Sequence, residues 1–135
     1  MMTPLRSETL PVREASDILL VRQLVREWAT ELGFSVLDRT KLLTAASELG
    51  RNTLIHGGGG TMLLETFVKN DRRGLRLTFE DKGPGIADLE RAMTNGFTTK
   101  GGMGLGLGGS KRLVDEFEVV SRVGEGTRVT ATRWT

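Results

Sequence analysis

The distribution of glycine constrains the fold of this chain more than any other feature of its sequence. The 135 residues include 18 glycines, about twice the ordinary proportion. Most of them fall in three clusters, at 57–60, 83–85 and 101–109. Glycine lets the main chain turn sharply and approach another group closely. The clusters therefore predict main chain that lies against a ligand, more than they predict general flexibility.

The segments around these clusters have the spacing of helices. Apolar side chains recur at helical intervals from Ile18 to Leu32, and Gly33 ends the pattern. Ser35 is the predicted N-cap of a second helix that runs to His56. A short helix is predicted at 88–93 and a third long one at 106–115.

Alternating or continuous apolar residues predict strands at 8–12, 62–69, 75–81, 117–123 and 127–134. Turns at 70–74 and 124–126 join the last four strands into two hairpins. Two helices, a hairpin, a helix and a hairpin predict an α+β fold, a two-layer α/β sandwich whose sheet is mixed but mostly antiparallel, with helices on one face. The length predicts one domain over residues 1–135.

Composition excludes several classes of function. The chain has no cysteine and one histidine, which excludes a disulfide framework, a thiolate metal site and a multi-histidine metal site. Its net charge of +2 comes from interspersed signs, so no nucleic-acid footprint is predicted. The longest apolar run, Ile18 to Val21, is too short to cross a bilayer. We therefore expect a cytoplasmic protein with neither a nucleic-acid nor a membrane partner.

A polar stripe follows the second predicted helix. Glu48, Asn52 and His56 recur every four residues and so lie on one helix face. The carboxylate and the amide oxygen, one turn apart, could hold a hydrated magnesium ion, which takes only one or two protein oxygens. The alternative is an ordinary solvated face, and the stripe alone does not decide between them.

Asp81 ends a strand whose apolar residues share its parity. Leu75, Leu77 and Phe79 alternate with polar residues, so Asp81 points to the same side of the sheet. A carboxylate facing the core needs a hydrogen-bond donor, and an exocyclic amine such as that of adenine would supply one. Alternatively, the side chain turns into solvent at the strand end.

The third cluster, 101–109, opens a predicted helix. Successive amides in a glycine-rich turn at a helix N-terminus form an anion site, and phosphate is its natural ligand. The dinucleotide fingerprint is excluded because no strand precedes the cluster, and the P-loop is excluded because Ser110 precedes Lys111. A flexible loop is the alternative.

Two further positions admit both a binding and an ordinary interpretation. Lys100 is either a cation that closes over phosphates or a solvated loop lysine. Thr127 shares parity with Val129 and Ala131, so its hydroxyl either faces inward near Asp81 or reflects the β-propensity of threonine.

Taken together, four stretches resemble the boxes of the GHKL superfamily of ATP-binding domains, which have the Bergerat fold. Residues 48–57 resemble its N-box, residues 81–86 its D-x-G-x-G box, residues 102–107 its second glycine box, and residues 124–127 its final turn. The resemblance spans essentially the whole chain. It implies ATP as the nucleotide and Mg²⁺ as its metal ion.

The resemblance also implies a role for each matching residue. Asn52 would hold magnesium, Glu48 would orient or deprotonate the attacking hydroxyl, and Asp81 would bind the adenine amino group, in a pocket shaped by Gly83 and Gly85. Residues 86–104 would form a mobile lid over ATP. The remaining residues assigned to ATP binding are His56, Ile86, Lys100, Gly102, Gly104, Leu105, Gly106, Leu107 and Thr127.

Within the superfamily, the chain resembles the small serine/threonine kinases that regulate sigma factors, and among them the switch kinases of the stressosome. Supporting stretches lie at 47–52, 95–99, 111–117, 124–127 and 131–134. This implies transfer of the γ-phosphate of ATP to a STAS-domain antagonist in a partner-switching module. The alternative is an ATP-dependent binding protein that sequesters a sigma factor or activates a partner phosphatase.

Overall fold

A computed structural model describes residues 2–93 and 106–135 of the chain. Within these residues the fold is α+β, as predicted. The strands are β1 (Arg6–Val12), β2 (Gly60–Lys69), β3 (Arg72–Asp81), β4 (Glu116–Arg122) and β5 (Gly126–Trp134). The helices are α1 (Ala15–Leu32), α2 (Val36–Ile55), α3 (Leu89–Ala92) and α4 (Gly106–Lys111).

The five strands form one sheet in the order β1-β2-β3-β5-β4, and every neighbouring pair is antiparallel. The β2–β3 turn is tighter than predicted and consists of Asn70 and Asp71, with φ of 51° and 66°. Such residues adopt left-handed backbone conformations readily, so two of them suffice for a hairpin turn. Gly74, which was predicted to lie in that turn, belongs to β3 instead: it pairs with Phe67 of β2 and Trp134 of β5, and the Trp134 ring covers it.

Helices α1 and α2 pack on one face of this sheet and enclose the core. From the helices it includes Val21, Val25 and Trp28 of α1 and Leu42 and Leu49 of α2. Alternate residues of the three central strands complete it, as the period of two requires: Met62, Leu64, Leu75, Leu77, Phe79, Val129 and Ala131.

The predicted helix ends are confirmed for the first two helices. Gly33 ends α1 in the left-handed conformation, with φ of 86°. The Ser35 hydroxyl accepts a hydrogen bond from the Asp38 amide, as an N-cap should. Helix α4 is shorter than the predicted 106–115 and ends at Lys111. The Asp115 amide donates to the Thr132 carbonyl of β5 instead of to a helix carbonyl.

In residues 2–93 and 106–135, no helix has both the length and the apolar character needed to span a membrane.

Arg133 of β5 fixes the first turn of α2 against the sheet. Its guanidinium donates to Asp38 Oδ1 at 2.6 Å and to the Leu113 carbonyl at 2.9 Å. The hydrogen bond from Arg133 is the main cause that lowers the pKa of the Asp38 carboxyl below its ordinary value of 3.8. The ion pair is mostly sheltered, with 15% of the Arg133 side chain and 28% of the Asp38 side chain exposed.

We predict that Asp38→Asn lowers the free energy of unfolding by roughly 1 kcal/mol at neutral pH. Because the folded-state pKa is lowered, the ionised carboxyl stabilises the fold above its ordinary pKa, and this stabilisation is lost as pH falls through the folded-state pKa. Urea denaturation from pH 7 down to pH 3 should therefore show the difference between wild type and variant shrinking with acid. Glu31→Gln, which removes the more exposed pair with Arg6, is the matched control and should change stability less. An equal loss at every pH would contradict the prediction.

Candidate functional site

A cavity of about 480 Å³ lies between α2 and one end of β3 and β5. Its walls come from α2, the ends of β3 and β5, the loop at 84–88, α3 and the start of α4. The lining includes nine of the residues predicted from the sequence: Glu48, Asn52, His56, Asp81, Gly85, Ile86, Gly106, Leu107 and Thr127. Segments far apart in sequence therefore meet at one concave surface of a size suited to a small molecule.

Asp81 is held in this cavity by two main-chain amides. Its Oδ1 accepts from the Gly83 amide at 2.9 Å and from the Thr127 amide at 3.3 Å. The second bond follows from the sheet register, in which Asp81 of β3 lies opposite Thr127 of β5. Two main-chain donors from two elements fix the orientation of the carboxylate before any ligand arrives.

Glycines surround Asp81 because there is no room for side chains. A Cβ at Gly57 would overlap the Asp81 carboxylate, and a Cβ at Gly126 would overlap the Asp81 carbonyl. A Cβ at Gly83 would lie 2.7 Å from the Gly57 Cα. Gly83 does not line the cavity itself; it supplies the amide that holds Asp81. The main chain thus forms a close-packed cradle on one side of the carboxylate.

Gly85 makes a second close approach, to the hairpin of β4 and β5. It has φ of 76°, and a Cβ there would overlap the Arg122 carbonyl. The Gly124 amide donates to the Pro84 carbonyl at 2.8 Å, and the Ile86 amide donates to Ser121 Oγ at 2.7 Å. The loop that follows Asp81 is therefore fastened to the hairpin.

Helix α2 supplies the opposite wall. Glu48 and Asn52 are half-buried, and His56, the C-cap of the helix, is exposed. All three line the cavity, as their spacing of four residues predicts. In residues 2–93 and 106–135, no group of three or more acidic, histidine or cysteine side chains could hold a metal ion by itself. The oxygens of Glu48 and Asn52 do suit Mg²⁺, which takes one or two protein ligands and completes its shell with water and phosphate.

The remaining wall belongs to the first residues of α4. Gly106 has φ of 70°, and Leu107 is buried, with 6% of its surface exposed. The predicted residues Lys100, Gly102, Gly104 and Leu105 lie outside the described residues, as does most of the predicted lid.

Residues 11–133 match the family described as the histidine kinase-like ATPase domain. The chain belongs to this family. The match confirms the predicted superfamily and, with it, the use of ATP.

Similar proteins of known function indicate which group within this family the chain resembles. The chain is 46% identical to the serine/threonine-protein kinase RsbT of Bacillus subtilis over 118 residues, 87% of this chain and 89% of the relative. It is 33% identical to an anti-sigma F factor of a Thermoanaerobacter species, over 84% of this chain and 82% of the relative. This similarity confirms the predicted group, the protein serine/threonine kinases and anti-sigma factors of the ATPase family.

A solved structure agrees with the fold. The crystal structure of the RsbU and RsbW domains of a Mycobacterium tuberculosis protein covers 97% of this chain with a TM-score of 0.65 and 22% identity. This chain spans 33% of the length of that protein. At 22% identity this likeness confirms the fold alone.

Sequence reasoning did not identify several residues in and beside this cavity. Arg51 of α2, Arg91 of α3 and Asp88 also line the cavity, and Ser121 bonds to Thr127 just behind it. Ser121 could have been found from parity, since it lies on the same face of β4 as the inward-facing Phe117 and Val119. Arg91 and Asp88 had no comparable signal, because the path of the loop after Gly85 positions them.

We predict that Gly57→Ala weakens ATP binding at least tenfold, about 1.4 kcal/mol, because the added methyl displaces the Asp81 carboxylate. Calorimetric titration with ATP measures the affinity. Gly58→Ala is the matched control: its Cβ meets nothing within 4 Å, but its φ of 73° makes alanine cost about 1–2 kcal/mol. That variant should melt at a lower temperature yet bind ATP normally once folded. Normal ATP affinity in Gly57→Ala would show that the cradle does not position Asp81.

Proposed function

We propose that this chain is a kinase domain, residues 1–135, that transfers the γ-phosphate of ATP to a serine or threonine of a STAS-domain antagonist protein in a sigma-factor or stress-signalling partner-switching module. One observation carries the proposal: a fixed carboxylate, Asp81, shares a cavity with the Glu48 and Asn52 side chains. A base-recognition group and groups suited to phosphoryl transfer are thus within reach of one nucleotide. Similarity to a curated serine/threonine-protein kinase supports the reaction type.

At the Asp81 end, the proposed ligand is adenine. The exocyclic amine of adenine donates a hydrogen bond to the Asp81 carboxylate, which needs no reorientation because two amides already hold it. Gly85 lines the cavity, and Gly83 supplies one of the amides that hold Asp81. Ile86, Leu107 and Val129 contribute apolar surface to the same cavity, and Thr127 offers a hydroxyl beside Asp81.

At the α2 end, Glu48 is the proposed general base. It takes the proton of the acceptor hydroxyl while the hydroxyl oxygen forms a bond to the γ-phosphorus and the bond from phosphorus to the β–γ bridging oxygen breaks, so that ADP leaves. Asn52 would hold Mg²⁺ through its amide oxygen, and the ion would supply positive charge that neutralises the phosphates. Such transfer depends mainly on positioning and charge neutralisation, which residues on one rigid helix can provide.

The phosphates are proposed to lie between α2 and the start of α4, whose first residues, Gly106 and Leu107, line the cavity. The resemblance assigns Gly102, Gly104, Leu105 and Lys100 to the same phosphates. His56, at the end of α2, lines the cavity and is proposed to contact the nucleotide. The module is expected to act in the cytoplasm, without a nucleic-acid or membrane partner.

A second candidate is an ATP-dependent binding role, in which the chain sequesters a sigma factor or activates a partner phosphatase. The observation that favours it is the 33% identity to an anti-sigma F factor over most of the chain. The two roles use the same nucleotide site and differ in whether the γ-phosphate moves.

The test of the kinase proposal uses ATP labelled at the γ-phosphate, the purified chain and the STAS-domain proteins of the same genome. Label on a serine or threonine of a STAS-domain protein is the expected result. ATP-dependent co-purification of a sigma factor without any labelled protein would favour the binding role instead.

In the same assay, Glu48→Gln should reduce transfer by roughly 10²–10⁴-fold, the usual contribution of a general base. ATP affinity should change little, because the amide keeps the size of the side chain. Glu118→Gln, on the exposed outer side of β4, is the control and should transfer at the wild-type rate. Wild-type transfer by Glu48→Gln would exclude Glu48 as the base.

Asn52→Ala should weaken ATP binding about tenfold when Mg²⁺ is present, or about 1.4 kcal/mol, and should leave binding in EDTA unchanged. The reason is that only the magnesium-bound form of ATP uses the Asn52 oxygen. Calorimetric titrations with and without Mg²⁺ measure the difference. An equal loss under both conditions would assign Asn52 to the nucleotide or to the fold rather than to the metal ion.

A further inference from the structure

Three polar side chains form a row across the end of the sheet. In the sheet register, Ser121 of β4 lies opposite Thr127 of β5, and Thr127 lies opposite Asp81 of β3. Directly opposed residues share one face of a sheet, so all three face the helix layer. Ser121 does not line the cavity, yet it touches two residues that do, Thr127 and Ile86.

The hydroxyl of Ser121 makes three close contacts. It accepts from the Ile86 amide at 2.7 Å, lies 3.2 Å from the Gly126 carbonyl and lies 2.8 Å from Thr127 Oγ1. A serine hydroxyl has one proton to donate and two lone pairs that accept. The Gly126 carbonyl can only accept, so the serine proton must go there if that bond is to form.

Only one assignment of protons satisfies all three contacts at once. Ser121 donates to the Gly126 carbonyl and accepts from both the Ile86 amide and the Thr127 hydroxyl. The Thr127 proton is then committed to Ser121, and Thr127 presents only lone pairs to the cavity. If Ser121 instead donated to Thr127, the bond from Ser121 to the Gly126 carbonyl would be lost, and the Thr127 proton would be available to a ligand.

We propose that Ser121 is a positioning residue that makes Thr127 a pure hydrogen-bond acceptor and thereby selects a 6-amino purine against a 6-oxo purine. This inference rests on the proposed function, in which the purine lies beside Asp81. Thr127 and the Asp81 carboxylate then present two acceptors to position 6 of the base. An amino group can donate a hydrogen bond to each of these acceptors. A 6-oxo group has no proton to donate, so its oxygen would face two other acceptors and all three groups would lack a hydrogen bond there, which is costly.

The test compares ATP with inosine 5′-triphosphate, which carries a 6-oxo group in place of the amine and a proton on N1. Calorimetric titration gives the ratio of the two dissociation constants, so no kinase activity is required. Wild type should prefer ATP. Ser121→Ala should reduce this preference roughly tenfold, about the effect of one hydrogen bond, because the released Thr127 proton can donate to the 6-oxo group. Ser121→Thr keeps the hydroxyl and should retain the wild-type ratio.

Further variants separate selectivity from loss of structure. Thr127→Val removes the acceptor and should lower the ratio similarly, and adding Ser121→Ala to it should lower the ratio no further, since the two residues act as one unit. Thr130→Val, on the outer face of β5 and outside the cavity, is the control and should not move the ratio. Thermal melting checks that each variant is folded.

Equal weakening of both nucleotides by Ser121→Ala would reduce Ser121 to a structural role and overturn the inference. If that variant fails to fold, an unchanged ratio in Thr127→Val overturns it instead. The outcome is distinct from that of the kinase proposal: ATP-selective binding without transfer to any protein defeats only the kinase. A wild-type protein that binds neither nucleotide defeats both.

Discussion

The binding end of this fold depends on the carboxylate of Asp81 and the two amides that hold it. One amide, from Gly83, belongs to the loop that follows β3, and the other, from Thr127, belongs to the neighbouring strand. A half-buried carboxylate is costly unless hydrogen bonds satisfy it. The sheet register and the loop supply those bonds from main chain, which no side-chain substitution removes directly. The site is thus rigid before it binds, and rigidity of this kind reduces the entropy lost on binding.

The glycines serve the same carboxylate in a way that their clustering only partly indicates. Clusters of glycine suggest main chain lying against a ligand, but Gly57, Gly83 and Gly126 lie against Asp81 or against one another. Their lack of a side chain is required by packing within the protein, with or without a nucleotide. Gly58, in the same cluster as Gly57, has open space around it and instead needs its left-handed backbone. One run of glycines therefore combines two different physical requirements.

Much of the fold could be predicted from sequence because its signals are local. The helical spacing of apolar residues predicts α1 and α2. Gly33 predicts the end of α1, Ser35 predicts the start of α2, and strand parity predicts that Asp81 lies on the inner face of the sheet. The features that were missed depend on how elements meet. Helix α4 ends before residue 115 because the Asp115 amide donates to the Thr132 carbonyl of β5. Arg91 lines the cavity because the loop after Gly85 brings α3 to it. The parity of Ser121 in its strand predicts that it faces inward. Its hydrogen-bond partners, however, depend on the register of β4 with β5 and on the path of the loop at 84–88, which the local sequence does not indicate.

The cavity joins two walls that are held in place by different parts of the fold. Asp81 and Thr127 belong to central strands of the sheet, held by ladders on both sides. Glu48 and Asn52 belong to α2, whose first turn is fixed to β5 through Arg133 and Asp38 and whose buried residues, among them Leu49 and Thr53, pack toward the sheet. Because these side chains come from different elements, a substitution on α2 can change one wall of the cavity while the Asp81 carboxylate keeps its position.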